Sequence, residues 1–292
     1  MRTAFIEELI LLARTNPRIF LVVGDLGYSV VEPFAREFPD RFLNAGVAEQ
    51  NMTGLAAGMA SEGFHVFTYS IGNFPTFRCA EQIRNDVAYH NLPVTIVAVG
   101  GGVAYGNLGY SHHTVQDYAL MRSFPNMLMA TPGDPMEVRA CLRYLVKHPQ
   151  PSYLRLGKAG EPVFHSSIPR LEPGKWVQVV KGHKAGHVLL STGGALGAAL
   201  KSGKTKPLAG FSIFSLPLWG MQQKKAQRSQ AKPWSQIVTF EDHFEEAGFG
   251  SWFVESLGSH LRRKIDVETR SLNPKISGIV ADQKALMKLS GL

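Results

Sequence analysis

The sequence predicts an α/β fold of two domains, each built on a mainly parallel sheet. Apolar runs of strand length recur along the 292-residue chain, and segments with a helical pattern separate them. These runs are apolar throughout instead of alternating with polar residues, which is typical of strands covered by helices on both faces. The composition, 45% hydrophobic and 18% charged, supplies enough apolar material for two cores.

The first domain is predicted to span residues 1–170. Its expected strands are 19–23, 64–69, 94–99, 126–130 and 152–156. Its expected helices are 3–15, 47–62, 77–90 and 134–147. The start signal Thr-Pro-Gly-Asp at 131–134 precedes the last of these helices.

The second domain, 171–292, follows a boundary where prolines, serines and a glycine interrupt the periodic pattern at 165–175. An α/β alternation resumes beyond it, so a smaller α/β domain is expected. The expected strands are 187–191, 208–214, 236–240 and 276–280, with helices near 194–201 and 248–263. Residues 220–235 are polar and basic, which predicts a surface helix or a mobile loop.

Charge and cysteine content limit the classes of protein. The net charge of +8 is local, because residues 173–240 contain ten Lys or Arg and no acid. This segment lacks a nucleic-acid-reading motif and interleaved aromatic residues, which favours a solvated or subunit-facing surface over nucleic-acid binding. Cys79 and Cys141 fit neither a disulfide framework nor a zinc site, so we expect buried thiols in a reducing cytoplasm. No segment reaches the ~18 apolar residues that span a bilayer.

Glu49 is the most informative single residue. It lies in the run from Arg41 to Gly63, among glycine, alanine and other small or apolar residues. An unpartnered carboxyl group in such surroundings is poorly solvated, which favours its protonated form and suits proton transfer at neutral pH. The alternative is an ordinary glutamate at a helix start, favoured there by the helix dipole.

Three loops follow predicted strands and are expected to meet at one edge of the first sheet, where ligands of open α/β folds bind. They are GDLGYS at 24–29, YSIGNFPTF at 69–77 and GGGVAYGNLGYSHH at 100–113. The glycines of the third loop have the wrong spacing for a nicotinamide-cofactor fingerprint. Phe74 and Phe77 either cover the core or stack on a flat heteroaromatic ligand.

His112 and His113 are adjacent in the third loop, which is not the spacing of a metal site on a helix face, and no metal site is predicted. Near neutral pH their side chains suit polarisation of a carbonyl group and proton exchange with hydroxyl groups. The alternative for either one is a loop histidine that bonds to backbone or faces solvent.

Taken together, these segments resemble the transketolase family, namely the pyrimidine-binding and C-terminal domains of transketolase and of 1-deoxyxylulose-5-phosphate synthase. The resemblance runs through nearly the whole chain and keeps the motif order. The segments are GVAEQNMTGLAAGMASEGF, YSIGNFPTF, EQIRNDVA, GNLGYSHHTVQDYALMRSFPNMLMATPGDPMEV, PSYLRLGKAGEP and VTFEDHFEEAGFGSW.

The resemblance implies thiamine diphosphate as cofactor and a role for each matching residue. Glu49 matches the glutamate that hydrogen-bonds the aminopyrimidine ring and promotes its imino tautomer, which activates the thiazolium carbon for attack on a ketose. Phe74 matches the ring-stacking position, with Phe77 as its neighbour. Asp25 matches a cofactor-side acid.

Substrate contacts are implied in the same way. Ser29 matches a sugar-phosphate contact, and His112 matches the histidine that contacts substrate hydroxyls, with His113 beside it as a further substrate-binding candidate. Lys158 stands where the family has a phosphate-binding arginine, and it lacks the bidentate reach of arginine. Leu108 and Gly100 replace an aspartate and a histidine that contact the donor sugar.

The chain contains no GDG motif followed by an asparagine some two dozen residues later, the element that binds Mg²⁺ and diphosphate in this family. We therefore expect a separate partner subunit to supply that domain, in an α2β2 heterotetramer or around a homodimer of this chain. The leading hypothesis is the smaller subunit of a split transketolase that moves a two-carbon ketol unit from a ketose to an aldehyde. The alternatives are a synthase subunit that decarboxylates a 2-oxo acid and a non-catalytic scaffold.

Overall fold

A computed structural model describes residues 1–292 and contains twelve strands in two sheets. The strands are β1 (Ile19–Val23), β2 (Phe42–Asn44), β3 (His65–Ile71), β4 (Val94–Val99), β5 (Leu128–Ala130), β6 (Ser152–Leu156), β7 (Val177–Val180), β8 (His187–Ser191), β9 (Ser212–Ser215), β10 (Leu218–Trp219), β11 (Gln236–Phe244) and β12 (Asp266–Leu272).

Both sheets are mainly parallel, so the predicted fold class is confirmed. The seven-stranded sheet has the order β10-β5-β6-β4-β3-β1-β2, and the five-stranded sheet has the order β12-β11-β8-β9-β7. Each sheet has one antiparallel edge strand, β10 and β7 respectively. The predicted division at 170/171 falls in the irregular segment 157–176 between the sheets, although β10 returns from the second half to pair with β5.

Ten α-helical segments connect the strands. They are α1 (Arg2–Thr15), α2 (Glu32–Glu37), α3 (Glu49–Ser61), α4 (Ala80–Gln82), α5 (Asp117–Met121), α6 (Pro135–Lys147), α7 (Leu196–Ser202), α8 (Lys224–Ala231), α9 (Phe249–Arg262) and α10 (Gln283–Leu289). Asp134 caps α6 as its start signal predicts, because its Oδ1 accepts a hydrogen bond from Glu137 N at 2.8 Å. Helix α4 continues as a π-helical turn over Ile83–Ala88.

Helices cover both faces of the first sheet. α1 and α6 pack together over one face, and α3 packs on the other through small residues, Ala56, Ala57 and Ala60, which are buried. The two domains share a further core. Trp219 of β10 packs against Phe249 and Trp252 of α9, with ring centroids 5.3 and 5.0 Å apart.

One expectation for the second domain is wrong, and of two alternatives for another the structure shows the helix. The predicted strand 276–280 is wrong, since Pro274–Gly278 forms a short 3₁₀ turn that buries Ile276. The edge of the sheet opposite β7 is instead formed by β12, which pairs parallel to β11. Residues 220–235 contain the helix α8, which is anchored by the buried side chains of Gln227 and Ala231.

Candidate functional site

The candidate site lies at the carboxyl edge of the first sheet, where loops from neighbouring strands converge as expected. β4, β3, β1 and β2 are adjacent in that order. Glu49 is the first residue of α3, just beyond β2, while Phe74 follows β3 and His112 ends the loop after β4. Parallel strands end at the same edge, so three residues distant in sequence are brought to one place.

Glu49 is 4% exposed. Its backbone carbonyl accepts a hydrogen bond from Thr53 Oγ1 at 2.9 Å, which secures the first turn of α3. Gly24 is its neighbour, since a Cβ at Gly24 would be in ordinary van der Waals contact with Glu49 Cγ, at 3.7 Å. The Glu49 side chain therefore lies beside the end of β1.

Arg78 is the partner of this carboxyl group, and the sequence reasoning missed it. Its Nη1 lies 3.1 Å from Glu49 Oε2, so Glu49 is not unpartnered as its apolar neighbours suggested. The Arg78 side chain is 52% exposed, and its Cζ lies 4.5 Å from the centroid of the Phe74 ring. One planar group thus stacks on Phe74 and hydrogen-bonds Glu49 at the same time.

This arrangement tests whether the residues fit an aminopyrimidine. That ring needs an aromatic face for stacking and a carboxyl group at its edge, and the guanidinium of Arg78 shows that one flat hydrogen-bond donor reaches both. Glu49 and Phe74 therefore fit the pyrimidine half of thiamine diphosphate. An arriving ring has to displace Arg78 or share its place.

His112 joins Phe74 at this edge. Their ring centroids are 5.4 Å apart in an edge-to-face arrangement, and His112 Nδ1 lies 3.0 Å from Ser111 Oγ. Asn73 Nδ2 donates to the carbonyl oxygens of Ser111 at 3.2 Å and His113 at 2.7 Å. Asn73, another residue that the sequence did not single out, thus fastens the loop after β3 to the loop that carries His112.

Asp25 and Ser29 lie on the exposed loop after β1. Both have left-handed backbone conformations, with φ of 52° for Asp25 and 64° for Ser29, which non-glycine residues rarely adopt. Asp25 Oδ1 accepts from Asn44 Nδ2 at 2.9 Å, and Ser29 N donates to Glu32 Oε1 at 2.7 Å. Such strained positions are found at ligand sites more often than elsewhere.

The remaining candidates lie apart from this cluster or point away from it. Phe77 is 46% exposed on the surface next to Arg78. His113 is 2% exposed, its Nε2 lies 3.5 Å from Gly106 O, and burial lowers its pKa, so its side chain supports the loop from beneath. Lys158 lines a crevice between the domains, where its Nζ donates to Ala104 O at 3.4 Å.

Both cysteines are free and buried, as predicted. Cys79 follows Arg78, and burial raises the pKa of its thiol to about 11. A thiol with this pKa stays protonated near neutral pH, so Cys79 is not a nucleophile of this site.

The family model for the transketolase pyrimidine-binding domain matches residues 1–160, which is more than half of the chain. The chain belongs to the transketolase family. One of the subunits of the apulose-4-phosphate transketolase from Phocaeicola vulgatus is 33% identical over 263 residues, which cover 89% of this chain and 84% of that protein. The Clostridium perfringens 1-deoxy-D-xylulose-5-phosphate synthase is 29% identical over 94% of this chain, and the match spans 44% of its own length.

A solved structure described as a split gene transketolase, inactive beta4 tetramer, superimposes with a TM-score of 0.83 at 31% identity. The superposition covers all of this chain and 93% of the chain in that structure. The Leishmania mexicana transketolase, at 20% identity and a TM-score of 0.81, shares the fold. No helix of the structure combines the length and hydrophobicity needed to cross a membrane.

Proposed function

We propose that this chain is the smaller subunit of a split, thiamine-diphosphate-dependent transketolase. The observation that carries the proposal is the joint placement of Glu49, Phe74 and His112 at one sheet edge. The relatives support the split arrangement, since one is named as an individual transketolase subunit and another as a split gene transketolase. In this proposal the bound cofactor supplies the carbon nucleophile and the electron sink for cleaving a carbon–carbon bond.

Each site residue of this chain has its own role in the proposed function. Glu49 holds a hydrogen bond or a shared proton at the ring edge of the aminopyrimidine, and Phe74 fixes the plane of that ring. His112, oriented by Ser111 Oγ, exchanges protons with substrate hydroxyl groups near the reacting carbon. Asp25 is assigned to the cofactor and Ser29 to the substrate phosphate, as the family resemblance implies.

The surface around the site supports a partner that covers it. Large apolar side chains are exposed on the loops and on α3 near this sheet edge, and a docked partner would cover them. These residues are Tyr28, Val47, Leu55, Phe77, Leu108 and Tyr110. We infer that a polypeptide carrying the GDG motif and its asparagine, which would bind the diphosphate and Mg²⁺, docks here in a cytoplasmic α2β2 heterotetramer.

Two positions favour a second candidate, the 2-oxo acid synthase. Gly100 has φ of 85°, and the ring of Tyr105 fills the place of a Cβ, so no sugar-contacting side chain fits there. Leu108 is 51% exposed and apolar where a donor-contacting aspartate stands in transketolases. Donor recognition in this chain therefore differs from that of a sugar-phosphate transketolase.

The test is reconstitution with a subunit that carries the GDG motif, thiamine diphosphate and Mg²⁺, followed by assay against ketoses and 2-oxo acids. The proposal predicts ketol transfer from a ketose to an aldehyde by the pair and none by either chain alone. Turnover of pyruvate without turnover of ketoses would establish the synthase instead. Activity of this chain without any partner would contradict the split arrangement.

A further inference from the structure

A crevice lies between the two domains, at the carboxyl ends of strands from both sheets. Its inner part is a cavity of about 210 Å³. Gly101 follows β4, Gly157 follows β6 and Gly194 follows β8, and all three line the cavity. Asp242 of β11 completes this wall. Since open α/β folds bind ligands outside the carboxyl ends of their strands, four strands direct their ends at this crevice.

The floor of the crevice is closed by ion pairs. Arg155 Nη1 lies 2.6 Å from Asp242 Oδ1, and its Nε lies 2.8 Å from Asp117 Oδ2. All three side chains are buried. Because two carboxylates outnumber this one guanidinium, the cluster offers no positive charge to a ligand. The positive charge available to a ligand lies on the outer walls of the crevice.

The crevice widens outward into a groove of about 600 Å³, which shares Lys158, Gly197 and Gln283 with the inner cavity. The lysines that line the groove are Lys158, Lys201, Lys284 and Lys288. None of them forms an ion pair, in contrast to Lys224, whose Nζ bonds to Glu255. The acid of the groove, Asp282, caps α10, where its Oδ1 accepts from Ala285 N at 2.8 Å.

We propose that this groove binds a small metabolite that carries two or more phosphate groups. Its ammonium groups come from three separate segments and surround a concave volume of the size that small-molecule sites have, about 300–1,000 Å³. Four lysines against one aspartate leave the groove positively charged, and a charged cleft concentrates ligands of the opposite sign. Lysine binds phosphate as a point charge, so four unpaired lysines suit a ligand with more than one phosphate.

The groove is distinct from the site proposed for the thiamine cofactor, because Glu49, Phe74 and His112 do not line it. Lys158 lines both this groove and the inner cavity. The phosphate contact that the family resemblance implies for Lys158 stays a separate prediction.

The test is calorimetric titration of the full chain with inorganic pyrophosphate and triphosphate at constant ionic strength, without cofactor or partner. The wild type is expected to bind one anion per chain, with triphosphate tighter than pyrophosphate. The double variant Lys284→Gln/Lys288→Gln, at exposed positions of α10, is expected to bind at least about tenfold more weakly. The control Lys225→Gln/Lys232→Gln makes the same charge change at exposed positions outside the groove and is expected to bind like the wild type.

A steric variant separates a specific site from general attraction to a basic surface. Ala198 lines the groove, and Ala198→Trp fills it without changing the charge, so binding is expected to be lost while the circular dichroism spectrum stays unchanged. Absence of saturable binding to the wild type would overturn the proposal. Equal weakening in the control pair, or unchanged binding in the tryptophan variant, would overturn it as well. None of these results depends on the transketolase activity.

Discussion

Glu49 shows how a buried carboxyl group can be stable and still reachable. Burial of an unpaired charge is costly, and here the guanidinium of Arg78 offsets that cost at 3.1 Å. Since half of the Arg78 side chain is exposed, this pair borders solvent instead of lying in the core. A ligand ring that brings its own hydrogen bond to Glu49 can therefore replace Arg78 without leaving the buried carboxyl group unpaired.

The two adjacent histidines lead to different predictions. In the reconstituted enzyme, His112→Ala is expected to lower kcat/KM about a hundredfold, because a proton-exchanging group at the substrate is lost. The melting temperature is expected to stay unchanged, since His112 is partly exposed on its loop. Steady-state kinetics and thermal unfolding check both parts.

His113→Ala is the matched variant at the neighbouring position. It removes a buried ring from beneath the loop and is expected to lower the free energy of unfolding by about 1–3 kcal/mol. Unchanged turnover in His112→Ala, or lost turnover without lost stability in His113→Ala, would reverse the two roles.

At the residue scale the sequence identified Glu49, Phe74 and His112 through their motifs, and the structure places all three at one edge. It did not identify Arg78 or Asn73. The contact between Glu49 and Arg78 joins residues 29 positions apart, and nothing local in either segment specifies it. The position of the site at the C-terminal ends of the strands could be predicted, whereas the presence of Arg78 beside Glu49 could not.

Among the elements, β3 carries a buried titratable residue that gives a pH prediction. His65 opens this strand, its Nε2 lies 2.9 Å from Thr95 Oγ1, and burial lowers its pKa to about 4. In the unfolded chain the pKa of His65 returns to about 6.5. Between pH 6.5 and pH 4, His65 is therefore protonated in the unfolded chain and neutral in the folded chain. The contribution of neutral, buried His65 to the free energy of unfolding is therefore fully present above pH 6.5 and is lost as the pH falls toward 4.

The expected loss across that window is on the order of 3 kcal/mol. Urea denaturation of the wild type and of His65→Gln at pH 7 and pH 5 samples the upper part of this window, about 2 kcal/mol, and the variant is expected to show the smaller change with pH. His90→Gln, at an exposed position, is the control and is expected to behave like the wild type. Identical pH dependence in all three proteins would show that His65 does not titrate in this way.

Strands can be predicted from the sequence where nearly all of their side chains are buried. The strands β1, β4 and β8 have continuous apolar sequences and were found at the predicted residues. The edge strands β2 and β12 have partly exposed side chains and no apolar run, and both were missed. The apolar sequence of 276–280 was read as a strand, but Pro274 and Gly278 favour the turn that the structure shows.

On the scale of the whole molecule, the Arg155 cluster joins the two domains. Arg155 lies in β6, whereas Asp242 belongs to β11 of the other sheet. Arg155→Met would leave Asp117 and Asp242 buried without a countercharge, so the free energy of unfolding is expected to fall by about 3–5 kcal/mol. Chemical denaturation measures this loss.

Arg170→Met is the control for that prediction. The Arg170 side chain is 91% exposed and its nearest carboxylate oxygen, on Glu172, is 3.9 Å away, so the expected change is within about 0.5 kcal/mol. Equal stability of the two variants would mean that the buried ion pairs do not hold the domains together.

The central claim is that Glu49 acts on a thiamine ring in a site completed by a partner subunit. Its most direct test is the activity of Glu49→Gln in the reconstituted complex, with Glu62→Gln at the exposed end of α3 as the control. Glutamine preserves the shape of Glu49 but cannot share a proton, so ketol transfer is expected to fall by about a thousandfold while complex formation is unchanged. Full activity of Glu49→Gln in an intact complex would contradict the account.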